Sequence, residues 1–104
     1  MEQPTVVDLT AAAEHASDAI VSRPLVENEH HKVVLFSFAA GQELSEHTAS
    51  VPAVIQILAG QAGVQLGGQG HEAGPGTFIY MPANLRHAVQ ARTDMTMLLT
   101  MFRT

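Results

Sequence analysis

His87 is the residue of this sequence whose setting most strongly indicates chemistry, and it lies in the stretch "GTFIYMPANLRHAVQA". The apolar run before it predicts a buried strand, and Pro82 ends that strand because proline has no N–H for the ladder. The chain then turns at Ala83 and Asn84 and re-enters as a strand near His87. A side chain at this re-entry can point into the mouth of a barrel, where imidazole can bind a metal or exchange a proton.

The other histidines lie in segments that predict solvent exposure. His15 lies in a predicted helix, while His30 and His31 lie in a polar turn, so we expect all three at the surface. His71 follows a glycine-rich hairpin turn and is predicted to be a solvated cross-strand residue. The chain contains no cysteine, so any metal would need histidine, carboxylate or amide ligands.

The composition and charge limit the classes of protein to which this sequence can belong. The 104 residues are 46% hydrophobic and 14% charged, which is typical of one globular domain. The net charge is -5 and the five basic residues are scattered, so nucleic acid is not an expected partner. Apolar runs are too short to span a bilayer, and the first residues show no signal-peptide pattern, so we expect a cytoplasmic protein with no membrane partner.

The elements that must position His87 are short strands. The segment Asp8 to Ala16 predicts the one helix, because its alanines favour helix and Asp8 or Thr10 can cap its start. From residue 19 onward, apolar segments alternate with glycine, proline and polar turns, which is typical of an antiparallel sandwich or barrel. The predicted strands include 19–26, 32–39, "VPAVIQILAG", "AGVQLGG", "GHEAG", "GTFIYMP", "HAVQA" and "MTMLLTMF". We therefore expect an all-β domain over 1–104, with a helical segment at 1–18 and a barrel at 19–104.

Two spaced motifs, from Gly41 to Ala91, resemble those of the cupin superfamily of small jelly-roll barrels. The first cupin motif reads G-x5-H-x-H-x3-E-x6-G, and the second reads G-x5-P-x-G-x2-H-x3-N. The matching residues of this chain are Gly41, His47, Gly60, Gly76, Pro82 and His87. The chain departs from the motifs at Ala49, Ala53, Asn84 and Ala91. Asn84 replaces a glycine and preserves the turn, because asparagine tolerates the left-handed conformation.

The resemblance implies a metal site of three histidines and one glutamate, of which only His47 and His87 remain. Zinc, nickel, iron or manganese is the ion it implies, but catalytic zinc normally has three protein ligands. The candidates for a third ligand are Gln56, Glu43, Glu46, Thr48 and Tyr80. We select Gln56, the one polar residue within "AVIQIL", although strand alternation turns it outward unless a bulge near Pro52 reverses the alternation.

A pocket left by the two alanines would be apolar around the two imidazoles. The predicted lining residues are Ala49, Ala53, Ile55, Ile57, Tyr80 and Val89. Three functions stay open: a metal-dependent enzyme, a metal-free module that binds a small molecule, and a histidine-based isomerase or epimerase with Tyr80 as acid. The resemblance also implies a homodimer, with the predicted strands at 19–26 and 32–39 as the pairing edge.

Overall fold

The computed structural model describes residues 2–103, which form one helical turn and nine strands. The helix α1 spans Leu9–Ala12. The strands are β1 (Ile20–Glu27), β2 (His31–Phe38), β3 (Glu43–His47), β4 (Ala53–Ala59), β5 (Ala62–Leu66), β6 (Gln69–Ala73), β7 (Phe78–Met81), β8 (His87–Ala91) and β9 (Met95–Phe102).

The strands form two antiparallel sheets. The first sheet has the order β1-β2-β9-β4-β7, and the second has the order β3-β8-β5-β6. This arrangement confirms the predicted all-β barrel with a short N-terminal helix. It corrects the expected pairing edge, because β2 lies between β1 and β9 and only β1 is exposed at that side of the sheet.

The space between the sheets is filled by alternate residues of each strand. In β4, Ala53, Ile55 and Ile57 are buried while Gln56 is exposed, which is the period of two that a half-buried strand requires. The largest fully buried side chains in this space are Phe38, Ile55, Ile57, Met95, Met97, Val64 and Val89. Burying each such side chain stabilises the fold by roughly 1.5–3 kcal/mol.

The helix is shorter than predicted. Asp8 caps it as expected, since its Oδ1 accepts hydrogen bonds from the N–H of Thr10 (3.0 Å) and Ala11 (3.3 Å). The chain becomes extended at Ala13, and among the helical residues only Ala12 is buried. A single helical turn that buries so little surface is not stabilised by packing, so the helix does not continue. The extended chain instead brings His15 Nε2 within 3.3 Å of the Met95 carbonyl oxygen.

Strand β3 is absent from the sequence prediction. Its sequence "ELSEH" has one apolar residue, Leu44, and shows no hydrophobic alternation. It forms because it lies at the edge of the second sheet, where one partner, β8, supplies its ladder. An edge strand of this kind is solvated on most of its surface and therefore leaves little hydrophobic signal.

Arg92 and Glu72 form an exposed ion pair on the second sheet, and this pair changes the pKa of both groups. Arg92 donates from Nε to Glu72 Oε1 (3.2 Å) and from Nη2 to Oε2 (2.8 Å). These hydrogen bonds lower the pKa of the Glu72 carboxyl and raise the pKa of Arg92. A lowered carboxyl pKa stabilises the folded state above the ordinary glutamate value, and the contribution is lost as the pH falls through the lowered value.

We therefore expect the substitution Arg92→Met to raise the pKa of Glu72. A titration of the glutamate carboxyl carbons by NMR measures this, and Arg86→Met, which removes another exposed arginine, is the control. In Arg92→Met, the free energy of unfolding should also lose the contribution that Glu72 makes above its ordinary pKa. An unchanged Glu72 titration in Arg92→Met would contradict the assignment.

Candidate functional site

His47 and His87 lie side by side on the second sheet. They are direct partners in the antiparallel register of β3 and β8. Their ring centroids are 4.2 Å apart, with the ring planes inclined at 59°. His87 is 6% exposed, whereas His47 is exposed, so the pair runs from the barrel interior towards solvent.

A β-bulge in β3 turns His47 to the inner face. Leu44 pairs with Val89, and His47 pairs with His87, so three steps along β3 match two steps along β8. With regular alternation from Leu44, position 47 would face outward and away from His87. The extra residue reverses the alternation, which is a common use of bulges near functional sites.

The hydrogen bonds of the two rings determine which nitrogen is free. His47 Nδ1 lies 2.7 Å from the Ser45 carbonyl oxygen, and His87 Nδ1 lies 2.9 Å from the Leu85 carbonyl oxygen. A carbonyl oxygen only accepts, so Nδ1 carries the hydrogen in both rings, and a neutral ring then has its lone pair on Nε2. No buried side-chain nitrogen or oxygen in residues 2–103 lacks a partner, so His87 Nε2 is open to solvent.

The turn before His87 is tied to the segment that follows His47. The N–H of Asn84 donates to the Ala49 carbonyl oxygen at 2.7 Å, which joins the turn before β8 to the chain after β3. Asn84 has a φ of 68°, as its position in the second motif predicts. This left-handed residue turns the chain between Pro82 and His87.

The residues present do not make a full metal site. Within the described part of the chain, no group of three or more histidine, aspartate or glutamate side chains is placed to hold an ion. Gln56 lies on the outer face of the first sheet, paired with Phe78 and Leu98, because no bulge at Pro52 reverses β4. Glu43, paired with Gln90, faces away from the histidines, and Glu46 is exposed in the bulge.

The predicted lining residues divide between the two faces of the barrel wall. Ala53, Ile55, Ile57 and Val89 are buried in the hydrophobic core. Ala49 is half-buried in the loop after β3. The structure differs from the prediction at Tyr80, which pairs with Val54 on the outer face and is 57% exposed. Ile79 and Met81 take the inner positions of β7 instead, so Tyr80 cannot serve His87 as an acid.

Comparison with protein families gives a match to the cupin domain over residues 34–102, which is more than half of the chain. The chain belongs to the cupin family. The match includes both histidines and eight of the nine strands in whole or in part. Cupins often bind metals and small ligands, and this cupin retains two of the ligand positions that the motifs imply.

Solved structures of other proteins share this fold. A conserved protein of unknown function from Streptococcus pyogenes is 31% identical, with a TM-score of 0.88 over 100% of this chain and 91% of that chain. A cupin superfamily protein from Desulfitobacterium hafniense is 24% identical, with a TM-score of 0.89 over 100% and 95%. A cupin 2 conserved barrel domain protein from Leptotrichia buccalis is 30% identical, with a TM-score of 0.86 over 92% and 47%.

Among curated proteins, none matches this sequence. Within residues 2–103, no helix is long and apolar enough to cross a membrane.

Proposed function

We propose that this cupin binds a small hydroxylated molecule at the His47–His87 pair without needing a metal. The observation behind the proposal is the pair of hydrogen bonds that hold both Nδ1 atoms on carbonyl oxygens. In its neutral form each ring has its Nε2 lone pair available to a ligand, and the two rings lie on neighbouring strands. Two neighbouring hydroxyl groups, as in a sugar, supply the two donors that such a pair accepts.

The surroundings of the pair suit a ligand with an apolar side as well. His87 lies at the border of the core, in the same strand as the buried Val89 and Ala91. Convergent polar groups at the edge of an apolar surface are typical of small-molecule sites. A carbohydrate presents hydroxyl groups together with C–H faces and fits this combination.

The binding test uses a panel of monosaccharides and matched deoxy sugars. We expect a sugar with neighbouring hydroxyl groups to shift the Nε2 resonances of both rings in ¹H–¹⁵N spectra. The substitution His47→Ala should weaken this binding at least about tenfold, because a lost hydrogen bond to a ligand leaves its hydroxyl group unpaired. His47 is exposed, so the substitution should not disturb folding.

His71→Ala is the matched control, because His71 is an exposed strand histidine on β6, two strands from the pair. It should leave sugar affinity unchanged. If no sugar shifts the ring nitrogens, or if His47→Ala binds as tightly as the native chain, the proposal fails.

A divalent ion is the second candidate, because the same Nε2 lone pairs are those that imidazole offers to metals. Zinc, nickel, iron or manganese would have two protein ligands here and would take the rest of its shell from water or a bound molecule. Metal analysis of untagged protein, and repetition of the sugar binding with a chelator, distinguish the candidates. Stoichiometric metal, with sugar binding lost on chelation, would favour the metal-bound form.

We propose further that the protein is a homodimer in the cytoplasm. A chain of this length buries only about two-thirds of its unfolded surface, so pairing would enlarge its core. Sedimentation of the native chain tests the oligomeric state. A single species of 11.1 kDa would contradict the homodimer.

A further inference from the structure

The N-terminal segment and the outer face of the first sheet border a cavity of about 540 Å³. Small-molecule sites in proteins have volumes of about 300–1,000 Å³. The segment contributes Leu9, Thr10, Ala13 and His15 to the lining, and the sheet contributes Leu58, Ala59 and Thr96. Because the cavity lies on the outer side of the first sheet, the hydrophobic core separates it from the His47–His87 pair on the second sheet.

Thr96 brings a buried hydroxyl group to this cavity. Its neighbours Met95 and Met97 point into the core, so Thr96 points outward, yet it is only 4% exposed. Within residues 2–103 its hydroxyl group has no hydrogen-bond partner, and no fully enclosed side-chain oxygen of this range lacks one. The Thr96 oxygen therefore opens into the cavity. A hydroxyl group with so little access to water is costly unless a partner is supplied.

His15 brings an acceptor to the same cavity. Its Nε2 lies 3.3 Å from the carbonyl oxygen of Met95, the residue before Thr96. Since a carbonyl oxygen only accepts, Nε2 carries the hydrogen, and the neutral ring then has its lone pair on Nδ1. The hydrogen bond holds the imidazole next to Thr96, so the cavity combines a hydroxyl group with a ring acceptor.

The rest of the lining determines the class of ligand. Leu9, Ala13, Leu58 and Ala59 are apolar, and no lining residue carries a carboxylate, ammonium or guanidinium group. A charged ligand would have no such counter-charge, and a sugar would place several hydroxyl groups against apolar walls. A pure hydrocarbon would leave the Thr96 hydroxyl group unpaired. The remaining match is an apolar molecule with one hydroxyl group.

We propose that this cavity binds a neutral alcohol or phenol. Its hydroxyl group donates a hydrogen bond to His15 Nδ1 and accepts one from Thr96, while its hydrocarbon part packs against Leu9 and Leu58. The site is independent of the sugar site proposed above, because it shares no residue with the His47–His87 pair.

Three related aromatic probes test the class of ligand. They are para-cresol, toluene, which lacks the hydroxyl group, and para-toluate, which has a carboxylate in its place. We expect para-cresol to shift the methyl resonances of Leu9, Leu58 and Thr96 saturably in ¹H–¹³C spectra. Toluene should bind at least about tenfold more weakly, because it leaves the Thr96 hydroxyl group unpaired. Para-toluate should shift none of the three.

Thr96→Val replaces the hydroxyl group by a methyl group of nearly the same shape. It should weaken para-cresol binding at least about tenfold and leave toluene binding no weaker. The melting temperature should not fall, because the native hydroxyl group has no partner within the described residues.

Ser37→Ala is the matched control. Ser37 is the direct register partner of Thr96, is 2% exposed, and lines a different cavity of about 190 Å³ that Glu14 and Arg23 border. Removing its hydroxyl group should leave the affinity for para-cresol unchanged.

Four results would overturn the site. They are an absence of methyl shifts up to the solubility limit of para-cresol, equal affinities for para-cresol and toluene, unchanged binding in Thr96→Val, and loss of binding in His47→Ala. The last result would place para-cresol at the histidine pair. Sugar binding that fails while para-cresol binds as expected would overturn the proposed function and leave this site standing.

Discussion

The double substitution Ala49→His and Ala53→Glu is expected to make this cupin a tight metal-binding protein. These are the two motif positions at which the chain departs from the family's ligands. The native chain offers two imidazoles, whereas the variant would offer three and a carboxylate, as the cupin motifs imply. We expect affinity for zinc or nickel to rise at least about 100-fold, measured by competition with a chromophoric chelator.

Stability gives an independent measurement of the same variant. Ala53 is 2% exposed and pairs with Met81 and Met101, whose flexible side chains can move aside for glutamate. Without metal, a buried carboxyl should lower the melting temperature. Metal at 100 times its Kd should restore about 2.7 kcal/mol, which raises Tm by roughly 10–20 °C in a chain of this size.

Two controls separate ligation from packing. Ala49→His with Ala53→Gln has the same bulk without the charge and should bind metal less tightly than the glutamate variant. Ala49→His with Ala53→Glu in a His87→Ala background should lose the gain. If the full variant binds no tighter than the native chain, positions 49 and 53 do not face the histidine pair.

Gly60→Ala is expected to destabilise the fold far more than Gly41→Ala. Both glycines belong to the first cupin motif, and both have a left-handed backbone, with φ of 82° at Gly60 and 86° at Gly41. A Cβ at Gly41 would meet nothing within 4 Å. A Cβ at Gly60 would collide with the backbone of Asp94 and Met95, which cannot swing aside as a side chain can.

The expected magnitudes follow from these two settings. Gly41→Ala should cost about 1–2 kcal/mol for the unfavourable φ alone. Gly60→Ala should cost about 2–3 kcal/mol more, because the turn between β4 and β5 must move away from the start of β9. Urea denaturation of both variants measures the difference. Equal losses would show that the turn relaxes without strain.

The sequence by itself determined the strands that alternate or contain apolar runs. The apolar run that contains residues 53–59 predicts β4, and Pro82 and Asn84 mark the turn before His87. It also determined that two ligand positions are alanine. The early end of the helix at Ala12 and the presence of strand β3 could not be predicted, because contacts with other parts of the chain decide both.

Only the tertiary structure decided what the histidines can do. The bulge between Leu44 and His47 turns His47 towards His87, and no local pattern in "ELSEH" signals it. Strand register placed Gln56 and Tyr80 on the outer wall, where neither can complete the site. A register is a relation between strands distant in sequence, and one residue of slip reverses every face, so short motifs alone cannot specify it.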